Sequence, residues 1–596
     1  MKHLMLLPAL ALAASLSAQT SPGTTTTPTT RHARTAHRRA ARNTGPTTQQ
    51  QIDQLKQLID QQQQQLSQLQ QQLSQRDQQL QTAQQQVQTT QQAAQTAQSA
   101  ADQANQKAEQ ASQAIQATDQ QITDVKAAAT NTNATIQEEQ KRIGTLEKPT
   151  SLHYKGVTIT PVGFFAAETV WREKGEGADI NTSFTGIPLA GNGSSHLSEF
   201  FGTGRQSRLG GLIEGKYKFV KASGYFETDF LSAATTSNNN QSNSYSLRQR
   251  QIWAQAALDS GWAFTAGQMF TLATETKKGL DNRTEALPMT IDPQYQVGFT
   301  WARQYAFRVT KNIGKHAYLG ASVENPQVTL TAHGQPANFV VGTAGLSGGL
   351  YNPLANYSFN YQPDYIVKGA FEPKFGHFEV FGIFSQFRSR VYPGATAATP
   401  TTVGAFNTSK SGQGIGANGR VSVMNKHLDL GVHYLGGDGV GRYGTSSLSD
   451  VTVRPDGTLA TLRSDMGYGT IEFHSKKWDI YGYGGTEHVR RSFALNAAGA
   501  AVGYGAPTFN NSGCLVETVP AAGGFVPGVA ANCNNDTRNI VEGTMGFWYK
   551  PFTGAYGRIQ FGPQYSYVVR NLWTGVGGAP QATDNMFFTS FRYYLP

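Results

Sequence analysis

The chain is poor in charge. Asp, Glu, Lys and Arg make up 15% of its 596 residues, against about 25% in ordinary soluble domains. It is also poor in hydrophobic residues, at 38%, and its mean hydropathy is −0.41. Neither shortage fits a compact helical enzyme. Beyond the extreme N-terminus no run reaches the roughly 18 apolar residues of a membrane helix. A membrane crossing must therefore be a β-barrel, the other structure that satisfies its backbone in lipid. Cysteine is almost absent. Cys514 and Cys533 lie 19 positions apart in one Gly/Asn/Pro-rich segment, which in an exported chain reads as a disulfide. No His or acidic cluster accompanies them as metal ligands would. No nucleophile motif is recognisable, and the 12 His are scattered without HExxH or another metal-ligand spacing. The expectation is no catalysis, no metal, no cofactor and no nucleic-acid partner.

What the chain has in quantity is glycine (63), Phe (31) and Tyr (24). That mixture suits many strands joined by large polar loops. Three regions precede or form them. Lys2, His3 and the apolar Leu4–Leu16 stretch, followed by Ala18–Gln19, make a secretory signal peptide over 1–18. With no Cys at the cleavage point, a lipid anchor is not indicated. Residues 19–50, including RHARTAHRRAAR at 31–42, are a disordered basic Thr/Pro-rich linker in composition. From Ile52 every seventh residue is apolar through Leu66, Leu80, Ala94, Ile115, Ile122 and Ile136 to Ile143. Fourteen such positions without a stutter predict a coiled coil over 51–148. A helix of that length spans roughly 150 Å and cannot bury its stripe alone, so oligomerisation is implied.

From about Val157 the heptads give way to period-two alternation. Near Ala555, Gly557, Ile559, Phe561, Pro563, Tyr565 and Tyr567 fall on one face; Arg558, Gln560, Gly562, Gln564, Ser566 and Arg570 fall on the other. Sixteen such segments are counted between 157 and 595. Their connections alternate strictly. Long ones lie near 173–204, 233–243, 273–295, 326–363, 392–412, 438–465, 492–537 and 571–582; short ones include Asp259–Ser260–Gly261 and Asn425–Lys426–His427. Short turns at one end and long loops at the other are the outer-membrane arrangement. The fold class expected over 150–596 is thus an all-β transmembrane barrel of 16 antiparallel strands, behind a periplasmic coiled coil. Barrels of 16–18 strands leave an aqueous channel, so passive passage of small solutes follows.

On each strand the face without aliphatic and aromatic residues repeatedly carries arginine: Arg208, Arg248, Arg250, Arg308, Arg388, Arg390, Arg558, Arg570 and Arg592. Each would cost about 2–4 kcal/mol near the lipid midplane, so all nine are expected to line the pore. Basic rings suit anions. Luminal Glu214, Glu227, Asp229, Asp364, Glu372 and Asp429 could instead pair with them and leave a neutral wall. Lys277, Lys278 and Arg283 in the third long loop would narrow the pore with positive charge if that loop folds inward.

Ser207–Arg208–Leu209–Gly210, SLRQRQIW at 246–253, GQMFTL at 267–272, Arg303–Gln304 and GDGVGRY at 437–443 resemble the DcaP-like trimeric outer-membrane porins, a family related in pattern to the phosphate-selective porins O and P. The resemblance spans most of 52–596. It implies a 16-stranded homotrimer in outer-membrane lipid, uptake of small, often negatively charged solutes, an inward third loop, and pore-facing Arg208, Arg248 and Arg250. The chain departs from the usual pattern in ending Tyr593–Tyr594–Leu595–Pro596 rather than on an aromatic residue. The competing reading is an envelope tether or adhesin whose barrel is an anchor and whose N-terminal region contacts peptidoglycan.

Overall fold

The computed structural model describes residues 99, 103, 105–140, 151–232, 246–336, 338–340, 360–396, 398–520 and 528–596. Two compact units are distinguished, Met1–Thr135 and Ile136–Pro596. The expected signal peptide and linker, and most of the expected coiled coil, lie outside the described residues. What is described there is one helix over 105–140. Ile115, Ile122 and Ile136 of the heptad row are exposed along it.

The second unit is a closed antiparallel barrel. Its strands are β1 (Val157–Arg172), β2 (Arg208–Tyr217), β3 (Val220–Ser232), β4 (Ser246–Leu258), β5 (Trp262–Phe270), β6 (Arg303–Ile313), β7 (Ala317–Glu324) and β8 (Asp364–Phe371). They continue as β9 (Gly376–Val391), β10 (Phe406–Val423), β11 (Leu428–Asp438), β12 (Arg463–His474), β13 (Trp478–Val489), β14 (Thr537–Gly554), β15 (Gly557–Leu572) and β16 (Gln581–Tyr594). Each pairs with the next, and β1 closes on β16 from Phe164 opposite Tyr594 to Arg172 opposite Met586. A short segment, Glu199–Thr203, continues the line of β2 along the outer half of β1. Each of the sixteen strands overlaps one of the sixteen alternating segments, although β6 begins at Arg303 rather than 296 and β10 at Phe406 rather than 413. What the alternation did not reveal are two small hairpins inside long loops, Val451–Val453 with Leu459–Thr461 and Ser492–Leu495 with Ala501–Tyr504.

The alternation decides which way each side chain faces. One face of every strand presents exposed apolar groups, among them Phe165, Ile213, Phe226, Ile252, Phe307, Val380, Ile415, Val432, Ile471 and Phe561. A soluble barrel would bury that face, whereas a membrane barrel turns it to lipid. The opposite face is buried and polar: Glu168, Arg250, Gln304, Glu379, Asn418, Glu472, Glu487, Glu542, Gln564 and Arg592 all point inward.

The lumen is not simply wet. The long loops over 173–198, 271–302 and 439–462 contribute Ile180, Phe184, Ile187, Ile291, Val297, Phe299, Leu448 and Leu462 to one buried cluster with Tyr468, Tyr481, Tyr483, Trp548 and Phe588 of the barrel wall. These loops sit inside the barrel and give the interior a hydrophobic core of its own.

Candidate pore constriction

The arginine wall is built on β16, β1, β2, β3 and β4, which lie side by side. Arg592 donates through Nε to Glu168 Oε1 at 2.9 Å. Arg250 donates through Nε to Glu227 Oε1 at 2.5 Å and through Nη1 to Asp229 Oδ2 at 2.6 Å. Arg248 grips the same Asp229 with two hydrogen bonds, 3.0 and 2.8 Å, the bidentate geometry that suits a guanidinium. Arg208 approaches Glu227 at 3.8 Å and lies 5.2 Å over the Phe164 ring. A register shift between β3 and β4, at Glu227/Thr228, lets the consecutive Arg250 and Gln251 both face inward.

Arg308, Arg558 and Arg570 also face inward. Arg308 donates to Asn282 Oδ1 at 2.8 Å and to the Phe270 carbonyl. Arg558 stacks 4.1 Å from the Tyr594 ring. Arg570 reaches the carbonyl of Ile187 at 2.9 Å. Arg388 and Arg390 require a correction. On β9 the inward residues are His377, Glu379, Phe381, Ile383, Ser385 and Phe387. Arg388 and Arg390 share the outward face with Val380, and they pack on Tyr361 and Tyr392. They stand at the long-loop end of the strand, beyond the apolar belt, where an outward arginine meets no hydrocarbon. The lipid penalty that assigned them to the lumen does not reach there.

The third long loop, 271–302, folds into the barrel. Its amides donate to luminal acceptors on far strands: Ile291 N–H to Gln564 Oε1 at 2.7 Å, Val297 N–H to Glu542 Oε2 at 2.7 Å and Gly298 N–H to Glu487 Oε1 at 2.9 Å. Glycine makes the close approach possible. A Cβ on Gly485 would sit 1.8 Å from the Val297 carbonyl oxygen, and Gly298, at φ +89°, would place one 2.2 Å from that of Gly467. Lys277, Lys278 and Arg283 are exposed on this loop, with Arg283 5.0 Å over the Tyr225 ring.

Several buried polar pairs inside the barrel are not reached by reading strand parity alone. Glu275 of the inward loop takes Arg420 of β10 at 3.3 Å and His433 of β11 at 3.2 Å. Lys368 and Glu379 pair at 2.6 Å, both fully buried. Arg442 holds Asp364. Burial pushes the neighbouring Asp450 carboxyl up to about 6. Arg303 donates to Gln294 Oε1 at 2.6 Å between the Trp301 and Phe270 rings. The loop carboxylates and Gln294 could have been anticipated only by knowing where the loop goes.

Among the described residues Asp429, Glu472 and His474 bring donor atoms within 4.8 Å of one another. Arg420 Nη1 already stands 2.7 Å from Glu472 Oε2 and 4.0 Å from Asp429 Oδ2, so protein cations balance this cluster. Cys514 and Cys533 are bonded to each other in the loop that leans on 173–198, where Gly191 N–H donates to the Cys514 carbonyl at 2.8 Å.

No protein-family model matches this chain, and no curated protein matches it. Among solved structures, the outer membrane channel DcaP of Acinetobacter baumannii aligns with a TM-score of 0.50 at 14% identity, covering 74% of this chain and 99% of that one. OmpT of Vibrio cholerae aligns at 0.38 and 10%, over 74% and 99%. An anion-selective porin from Comamonas acidovorans aligns at 0.37 and 8%, over 74% and 100%. The closed antiparallel barrel of this chain is the fold of the outer membrane channel DcaP.

Proposed function

We propose that the chain is an outer-membrane diffusion porin, working as a homotrimer, whose channel passes small hydrophilic solutes and favours anions. A barrel with an apolar outside, a polar inside and a loop drawn across it supports the porin reading, since sixteen strands suffice for a channel. The likeness of fold to an outer membrane channel agrees with it. The exposed row Ile115, Ile122 and Ile136 on the helix over 105–140 supports association of chains through a coiled coil, and the even strand number supports a periplasmic position for it.

Anion preference rests on one observation: at the wettest ion pair of the wall the exposure is lopsided. The side chain of Arg248 is 33% exposed while its partner Asp229 is 0% exposed. The neighbouring pairs are enclosed on both sides, Arg592 with Glu168 at 6% and 0% and Arg250 with Glu227 at 2% and 13%. At the wettest pair a solute in the lumen meets the guanidinium of Arg248, not the carboxylate that holds it. Lys277, Lys278 and Arg283 add exposed positive charge on the inward loop.

The test is the reversal potential of the purified full-length protein in a planar bilayer under a KCl gradient. Three equal conductance steps with chloride preference are expected. Cation preference would keep the channel and remove the arginine argument. No conductance from folded protein would leave the barrel as an anchor.

A further inference from the structure

The short turns of the barrel carry an uneven share of lysine. Lys155, Lys218, Lys315, Lys374, Lys426 and Lys477 are all exposed at that rim, and none of them has a carboxylate at ion-pairing distance among the described residues. The rim acids are mostly taken by other lysines: Asp259 by Lys216 at 2.8 Å, Glu214 by Lys221 at 2.6 Å and Asp479 by Lys550 at 2.8 Å. The rim therefore carries a net positive ring.

Two geometric facts say which way this charge is aimed. Lys155 lies 5.3 Å over the Tyr154 ring, Lys218 5.3 Å over Tyr217 and Lys311 5.1 Å over Trp262. Those rings are exposed, and Tyr217 and Trp262 stand on the outward face of their strands. An outward aromatic row sits at the headgroup level of a bilayer. Amines resting on it lie beside the membrane surface rather than along the channel axis. Second, Lys155, Lys218 and Lys426 have φ of 46°, 53° and 66°. Gly or Asn fills such turn positions without strain. Lysine stands there against the local backbone preference.

We infer that the short-turn rim binds the phosphodiester headgroups of anionic phospholipids in the leaflet it touches, each lysine meeting a phosphate from the water side of the aromatic row. The inference rests on the membrane-spanning reading of the barrel but not on its conducting. Basic groups at an anionic surface each strengthen association several-fold, and the effect is screened by salt.

The full-length protein is to be equilibrated with phosphatidylglycerol and with phosphatidylethanolamine, and lipid retention read by native mass spectrometry. Retention of phosphatidylglycerol at least fivefold above phosphatidylethanolamine is expected, falling as salt rises from about 50 to 300 mM. A combined Lys155→Gln, Lys218→Gln, Lys315→Gln and Lys374→Gln variant should lose most of that preference. The basic segment 31–42 remains in both proteins, so the difference isolates the rim. Equal retention of the two lipids, or a variant whose preference is unchanged, overturns the inference. So does a variant that loses only its sedimentation with isolated cell-wall sacculi, since the ring would then face a carboxylate polymer. Heat-modifiable gel migration checks that the variant is folded, and bilayer conductance of the same samples tests the porin reading separately.

Discussion

The backbone amide of Val297 donates to Glu542 Oε2 at 2.7 Å. One partner belongs to a loop that leaves β5, the other to the inner face of β14 across the barrel. Tyr483, donating from its hydroxyl to Glu472 and accepting from the Met289 amide at 2.8 Å, repeats the tie on β13. The inward loop is therefore tied to the wall opposite the strands it joins.

Glu542→Ala should loosen it. The change strands a buried loop amide, which costs about 1–3 kcal/mol, and frees the middle of 271–302. Single-channel conductance is expected to rise, with a lower urea midpoint in lipid vesicles. Unchanged conductance would mean that Glu487 and Gln564 suffice to hold the loop.

Arg250 is the arginine whose removal should matter most for stability. It is 1% exposed and answers two carboxylates, so Arg250→Ala leaves Glu227 and Asp229 short of a partner; breaking a buried pair costs about 3–5 kcal/mol. Arg248→Ala, at the wetter end, should cost less in stability but shift the reversal potential further toward cations. Vesicle unfolding and bilayer recordings on the two variants separate these effects.

Arg388→Ala and Arg390→Ala should leave ion selectivity untouched, because both face outward. Their effect on stability should stay within about 0.5 kcal/mol, as for exposed groups generally. A shift in reversal potential as large as that of Arg248→Ala would place them in the permeation path.

The outer loops should respond to pH through His333. Its Nε2 meets Asp536 Oδ1 at 2.8 Å, and this hydrogen bond raises the imidazole's pKa above its usual value. A folded pKa above the unfolded one contributes stability that is complete below about 6.5. That contribution is lost as pH rises through the folded value. After correction for intrinsic exchange rates, amide exchange around 333 and 503–505 is expected to be slower at pH 5.5 than at pH 8. His333→Gln should abolish the difference.

Much of this was legible in the chain itself. Phe561, Tyr565 and Tyr567 against Gln560, Gln564 and Ser566 betray the two faces of β15, because side chains in a strand alternate with period two. The same rule found Arg208, Arg248, Arg250 and Arg592 inward. Arg388 and Arg390 share the outward parity of Val380 and Phe384; the lipid penalty misplaced them, because it depends on depth along the strand, which parity does not record.

The sequence by itself determined the strand number, the order of long and short connections and the inward face of most strands, since these follow from local periodicity and turn chemistry. Only the tertiary structure decided that Glu275 would meet Arg420 and that Val297 would cross to Glu542. Such pairs join residues 145 and 245 positions apart, brought together by barrel closure and by loops seeking a surface for Ile180, Ile291 and Phe299. No local pattern encodes where a loop finds that surface.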